Sequence, residues 1–193
     1  WLRLDLSPLS APSGDAFRLL CQANPDLRFE RLASGEIVVM PPAGAASGHR
    51  NAAILAALWS WARADGTGVV FDASAGFRLP DGAVRAPDVA WVRRARLAGL
   101  SAPEKERFLA LCPDFVIEVR SPSDGLSELR AKMDEYIANG AQLGWLVDPR
   151  RRTVFVYRPG VPPVRLDDVA SVAADPELPG FVLDLAPIWD PGF

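Results

Sequence analysis

The feature that most constrains this fold is a short apolar run, Phe115 to Val119, that contains one charged residue, Glu118. A strand whose residues are almost all apolar is typical of a central position in a sheet that is buried on both faces. Such a sheet needs a covering layer on each side. The run therefore predicts a layered fold with this strand near its middle.

Periodic segments before and after this strand supply the layers. Apolar residues recur at three- and four-residue intervals over 52–64 and 125–139, which predicts helices there, and a shorter helix is predicted over 12–23. The predicted strands are a hairpin of 27–32 and 36–40 around Ser34-Gly35, then 69–78, 89–92, 143–147 and 153–157. This order predicts an α/β (α+β) protein, with a mixed sheet flanked by helices and opened by a helix and a β-hairpin.

The length of 193 residues suits one domain. We expect its core to cover about residues 15–158, followed by an acidic, proline-rich tail over 159–193 that forms a loop and a small strand near Phe181 to Leu183. The tail has one arginine against six acidic residues, whereas residues 28–158 have 18 basic against 15 acidic ones. The central excess is small for a nucleic-acid binder and leaves such a partner open.

The sequence also bears on the compartment of the protein. The two cysteines, Cys21 and Cys112, match no zinc spacing and are expected to be free, buried thiols. The apolar runs are shorter than the roughly 18 residues that a membrane span needs, and no signal peptide opens the chain. We therefore expect a cytoplasmic protein with no membrane partner.

Two carboxylates stand where the chain is otherwise apolar. Glu118 lies inside the central strand, and Asp88 leads into Val89-Ala90-Trp91. A buried carboxylate costs several kcal/mol unless a cation or good hydrogen-bond donors compensate it. Two such groups that converge at the ends of adjacent strands would suit Mg²⁺ or Mn²⁺. The alternative is that backbone N–H groups, or arginines such as Arg85 and Arg120, satisfy both acids.

Lys132 is one of only two lysines in a chain with 19 arginines. It borders the apolar face of the helix predicted over 125–139, from which its ammonium could reach a phosphate or an attacking water. The alternative is a surface ion pair with Glu128, four residues earlier, which would contribute only tenths of a kcal/mol.

Several short motifs form an ordered series along the chain. They are Ala86-Pro87-Asp88-Val89, the stretch Pro113 to Asp124 (PDFVIEVRSPSD), Lys132 with Tyr136, and Gly144-Trp145-Leu146-Val147-Asp148-Pro149. The series resembles that of the putative restriction endonuclease family of bacteria, within the PD-(D/E)XK nuclease superfamily. The hairpin residues around Glu30 and the lone His49 also match that family. The resemblance covers about residues 15 to 158 and implies a restriction-endonuclease-like fold.

The resemblance implies a role for individual residues. Asp88 matches the Asp of the PD motif and Glu118 the acidic residue of the second half, so both are expected to bind the metal. The strand lysine of the superfamily is replaced by Arg120, which stays protonated and cannot act as a base but can clamp a phosphate. Lys132 matches the residue that related members supply from the following helix. Glu30 and His49 are additional candidates for the catalytic site.

The function implied is Mg²⁺- or Mn²⁺-dependent hydrolysis of DNA phosphodiester bonds, by an enzyme that is expected to be a homodimer. One alternative is a catalytically weak or inactive relative that binds nucleic acid or a protein, which the Arg120 replacement favours. The other is a structural protein whose carboxylates are paired with arginines. Metal binding at the two carboxylates distinguishes the enzyme from the first alternative, and the second predicts that removal of Glu118 destabilises the fold.

Overall fold

The computed structural model describes residues 16–193, which form six helices and twelve strands within that range. In chain order they are α1 (Ala16–Ala23), β1 (Arg28–Arg31), β2 (Ile37–Met40), α2 (Ala45–Asp65), β3 (Gly68–Asp72), β4 (Phe77–Arg78), β5 (Val84–Arg85), β6 (Val89–Arg93), α3 (Arg94–Leu97), α4 (Ala102–Lys105), β7 (Phe115–Val119), α5 (Leu126–Ala138), β8 (Leu143–Asp148), β9 (Thr153–Arg158), β10 (Val161–Asp167), β11 (Ser171–Ala173), β12 (Val182–Asp184) and α6 (Ala186–Trp189). No helix among them is both long and apolar enough to cross a bilayer.

The main sheet has six strands in the order β10-β9-β8-β7-β6-β3. β7 and β8 are parallel and are joined through α5, whereas the other neighbouring pairs are antiparallel. The predicted mixed sheet is therefore confirmed, and β7 lies inside it as its apolar run indicated. A second sheet, in the order β2-β1-β5-β4, contains the predicted hairpin, and β11 pairs with β12 in a third.

Side-chain alternation along β7 divides the core into two layers. Phe115, Ile117 and Val119 pack on the face that α2 and the C-terminal segment cover. Val116 packs on the opposite face, against Met133 and Tyr136 of α5. Because alternate residues of a strand share a face, the side chain of Glu118 projects with that of Val116 toward α5.

The C-terminal segment differs most from its prediction. The expected loop after residue 159 contains β10, an edge strand that pairs with β9, although the small strand expected near 181–183 is present as β12. Proline is tolerated on an edge strand, which is why Pro162 and Pro163 do not prevent pairing. Phe181 stacks on Trp145 with ring centroids 5.7 Å apart, so this segment contributes to the main core.

Three other boundaries differ from the sequence predictions. The strand predicted over 69–78 is two strands, because the Asp72 carboxylate accepts the N–H of Ser74 and turns the chain. The helix predicted over 52–64 begins earlier, at Ala45. The helix predicted over 12–23 is confirmed from Ala16, and residues 12–15 lie outside the described residues.

Candidate active site

Four charged side chains from four elements meet on the α5 side of the main sheet: Glu30 of β1, Asp88 just before β6, Glu118 of β7 and Lys132 of α5. The Lys132 Nζ lies 2.9 Å from Glu30 Oε1 and 2.8 Å from Glu118 Oε1. We call these four residues the carboxylate cluster. Two carboxylates thus contact one ammonium group, and the charge of that ammonium also acts on Asp88.

The strand register explains why Asp88 and Glu118 are neighbours. β6 and β7 run antiparallel with Val89 opposite Ile117, so the residue before Val89 stands opposite the residue after Ile117. Directly opposed residues project to the same face of a sheet, with Cβ atoms about 5 Å apart. Each Asp88 oxygen has a donor, since Asn51 Nδ2 lies 2.7 Å from Oδ1 and the Val119 N–H donates to Oδ2 at 2.8 Å.

Burial and like charge disfavour ionisation of Glu118. Glu118 is 4% exposed, and this burial raises the pKa of its carboxyl to about 8. The positive charge of Lys132 opposes the rise, whereas the negative charges of Asp88 and Glu30 add to it. The Tyr136 hydroxyl donates to Glu118 Oε1 at 3.1 Å. Burial likewise raises the pKa of Asp88, although the hydrogen bond from the Val119 N–H opposes it. Both acids therefore hold protons more tightly than ordinary carboxyl groups do.

For Glu30 and Lys132, the pKa shifts favour the charged forms. Burial would raise the pKa of Glu30, but the Lys132 charge and the Ala86 N–H, which donates at 2.9 Å, lower it below its ordinary value. Burial would lower the pKa of Lys132, yet its two carboxylate partners raise it. Arg85 adds a further ion pair to Glu30 at 3.0 Å and also pairs with Glu135. The ammonium of Lys132 therefore stays charged at neutral pH.

Two of the predicted site residues lie apart from the carboxylate cluster. The Arg120 Nη1 pairs with Asp148 Oδ2 at 2.8 Å, and its Nε donates to the Asp124 carbonyl. His49 is exposed on α2, where its ring meets that of Phe193 edge-on at 5.5 Å. Within residues 16–193, neither side chain forms an ion pair or hydrogen bond with the cluster.

The contacts also decide between the alternatives that the sequence left open. The surface ion pair of Lys132 with Glu128 is wrong, because the Lys132 side chain is 12% exposed and pairs with Glu30 and Glu118 instead. Neither Arg85 nor Arg120 pairs with Asp88 or Glu118 within the described residues. The backbone alternative holds in part, since the Val119 N–H does satisfy one oxygen of Asp88.

The profile of the Uma2 family, described as "Putative restriction endonuclease", matches residues 15–186. The chain belongs to this family. It is also similar to a solved structure, described as a putative nuclease belonging to DUF820 from Anabaena variabilis, with a TM-score of 0.72 and 20% sequence identity. That match covers 87% of this chain and 96% of the other, and at this identity it shows a shared fold. A search of curated proteins finds no match.

Three side chains that complete the site of this Uma2 protein were not singled out as functional from the sequence: Asn51, Tyr136 and Glu135. Asn51 could have been found, because it lies one and two helical turns before the buried Ile54 and Leu58 and so shares their face. Tyr136 follows Lys132 by four residues, which places both on one side of α5. Nothing local marks Glu135, whose ion pair with Arg85 joins residues 50 positions apart.

The donor set of the cluster fits a hard divalent ion. Glu118 is buried beside the negative charge of Asp88, and carboxylate oxygens are the ligands that Mg²⁺ and Mn²⁺ prefer. No group of three or more His, Cys, Asp or Glu side chains within residues 16–193 is arranged to hold a metal ion. An ion here would use the two carboxylates of Asp88 and Glu118 and complete its shell with water and substrate oxygens, as Mg²⁺ commonly does in proteins.

Proposed function

We propose that this protein is a metal-dependent endonuclease that hydrolyses phosphodiester bonds in DNA. The observation that carries the proposal is that Asp88 and Glu118 lie at adjacent ends of β6 and β7, where Lys132 contacts Glu118 and Glu30. An excess of buried carboxylates is costly unless a cation offsets it. Membership in the Uma2 family supports this type of reaction.

Asp88 and Glu118 would hold Mg²⁺ or Mn²⁺. When bound, such an ion polarises a phosphate and lowers the pKa of a water molecule. The protein fixes both carboxylates in advance: Asn51 and the Val119 N–H orient Asp88, and the Tyr136 hydroxyl orients Glu118. Such supporting hydrogen bonds restrict a ligand to one orientation and thereby favour metal binding.

Lys132 would be the cation that meets the substrate. Because its carboxylate partners raise its pKa, it donates hydrogen bonds to a phosphate oxygen or an attacking water rather than removing a proton. The ion pair with Glu30 would hold the ammonium in place. Arg120 was expected to neutralise the phosphate, but its pairing with Asp148 leads us to assign it a structural role.

Titration calorimetry with Mn²⁺ tests the site directly. We expect the wild type to bind Mn²⁺ and both Asp88→Asn and Glu118→Gln to bind it at least tenfold more weakly, because each loses a charged ligand. Asp167→Asn, which neutralises an exposed carboxylate on β10, is the control and should bind as the wild type does. No binding at millimolar Mn²⁺, with or without a DNA oligonucleotide that could supply ligands, would refute the metal site.

Cleavage of supercoiled plasmid DNA in Mg²⁺ or Mn²⁺ then tests the reaction. We expect nicked and linear products from the wild type and a loss of about 100-fold or more with Glu118→Gln, since metal-ion catalysis contributes several kcal/mol. Binding of DNA without any cleavage would instead favour the inactive binding module. That alternative rests on Arg120, which occupies the position of the superfamily's strand lysine and is tied to Asp148.

Three further expectations remain predictions: a homodimer, a cytoplasmic location and a single nuclease-like domain over residues 1–193. Sedimentation of the purified protein tests the first. A protein that sediments as a monomer under the conditions in which it cleaves DNA would contradict the homodimer.

A further inference from the structure

The β1–β2 hairpin has two faces of different character, which its register defines. Glu30 stands opposite Val38, and Arg28 stands opposite Met40, so these four side chains share the face that joins the carboxylate cluster. The other face belongs to α1: Phe29 and Val39 pack beside Phe17 and Leu20 there.

Val38 and Ile37 are neighbours on one strand with nearly equal exposure, 39% and 36%. Val38 is the cross-strand partner of Glu30 and therefore borders the cluster. Ile37 is the partner of Arg31, whose guanidinium lies over the Phe17 ring on the α1 face. Single exposed apolar residues are ordinary. It is less ordinary for an exposed valine to lie beside a buried ionic cluster, with Met40 two residues further along the same face.

Arg28 gives this face a positive charge. Its guanidinium donates to the Ala73 carbonyl, and its charge contributes to lowering the pKa of Asp88 against the burial that raises it. The hairpin face therefore presents a cation, a half-buried methionine and an exposed valine in continuity with Asp88 and Glu30. A DNA strand offers the complementary groups, since its phosphates are anionic and its sugars and bases have apolar surfaces.

We propose that Arg28, Val38 and Met40 form the surface on which the DNA strand lies when its phosphate enters the carboxylate cluster. This inference rests on the proposed function and adds a binding surface to it. Val38 and Met40 contact sugar or base, and Arg28 contacts the backbone. Ile37, on the other face of the same strand, takes no part.

The test compares Val38→Asp with its matched control, Ile37→Asp. Both changes place the same charge on the same edge strand at nearly equal exposure, so their effects on folding should be alike, which thermal unfolding can check. Binding is measured as fluorescence anisotropy of a labelled DNA duplex at low salt, with Ca²⁺ in place of Mg²⁺ so that the carboxylates have a divalent ion. We expect Val38→Asp to weaken binding at least tenfold, because a carboxylate there repels phosphates, and Ile37→Asp to change it less than threefold. Val38→Ser should give an intermediate loss.

The outcomes separate this surface from the function on which it rests. If the wild type neither binds nor cuts DNA, the proposed function and the surface both fall. If the wild type binds and cuts DNA but the two Asp variants bind it equally well, the function stands and the hairpin surface is wrong. A fall in the mass of Val38→Asp in solution with unchanged DNA binding would overturn the surface in favour of contact with a second copy of the chain.

Discussion

Two buried ionic groups lie near the end of β7, only two residues apart along the chain, and they are balanced differently. The Arg120–Asp148 pair consists of one cation and one anion at 2.8 Å, with the Asp148 side chain fully buried. The carboxylate cluster has three acids and one lysine, which contacts two of them, and Arg85 pairs with Glu30.

The difference shows which group needs an additional partner. A balanced pair compensates its own desolvation, and removing one member leaves an uncompensated charge. The cluster instead has more acids than bases. Burial raises the pKa of Glu118 to about 8, and the negative charges of Asp88 and Glu30 add to that effect. A proton or a divalent ion relieves the excess of negative charge, so the cluster is suited to bind a further group, whereas the pair is costly to break but has no need of one.

The largest predicted effect breaks the balanced pair. Asp148→Ala should lower the free energy of unfolding by about 3–5 kcal/mol, because it leaves the Arg120 guanidinium with too few acceptors. Glu118→Gln at pH 7 should change it by less than about 1 kcal/mol, because the amide resembles the protonated carboxyl that a raised pKa favours. Urea unfolding measures both.

A double substitution sharpens this result. Arg120→Met with Asp148→Leu should recover most of the lost stability, since apolar groups of similar size often replace a buried ion pair without cost. A double variant as unstable as Asp148→Ala would show that the loss came from packing rather than from unpaired charge.

The second prediction concerns pH. A carboxyl whose pKa is raised in the folded state binds its proton more tightly there than in the unfolded chain, so Glu118 makes the folded state less stable as pH rises from its ordinary pKa near 4.5 to about 8. The slope is at most about 1.4 kcal/mol per pH unit for one proton. Urea unfolding at pH 5.5 and pH 8 should therefore show the wild type losing more stability than Glu118→Gln. Parallel losses would contradict the assignment of the raised pKa to Glu118.

Local periodicity was sufficient to predict most of the main sheet, including β7 and the position of Glu118. The sequence also drew attention to Asp88 and Lys132, but it left alternatives open for both, and their assignment to a site came from the resemblance to the family. It could not reveal that Arg120 turns to Asp148, 28 residues away, rather than to a phosphate. Nor could it show the core role of Phe181, since the apolar residues after Pro159 occur in pieces too short for a periodic signal.

The third prediction concerns the residue that orients Asp88. Asn51→Ala should weaken Mn²⁺ binding about tenfold, which is the usual cost of losing a hydrogen bond that supports a metal ligand. Its Nδ2 donates to Asp88 at 2.7 Å, while its own Oδ1 is buried without a partner among the described residues. Asn139→Ala, which removes an amide outside the cluster, is the control in calorimetry. Unchanged affinity of Asn51→Ala would show that Val119 alone suffices to hold Asp88.

The smallest effect is expected at His49, the only histidine of the chain. The resemblance suggested a catalytic role, but the exposed ring contacts Phe193 and forms no hydrogen bond or ion pair with the carboxylate cluster within residues 16–193. His49→Ala should therefore leave the rate of plasmid cleavage within twofold of the wild type. A loss of tenfold or more would mean that His49 turns toward the substrate when DNA binds. The reactive site would then include His49 as well as the carboxylate cluster.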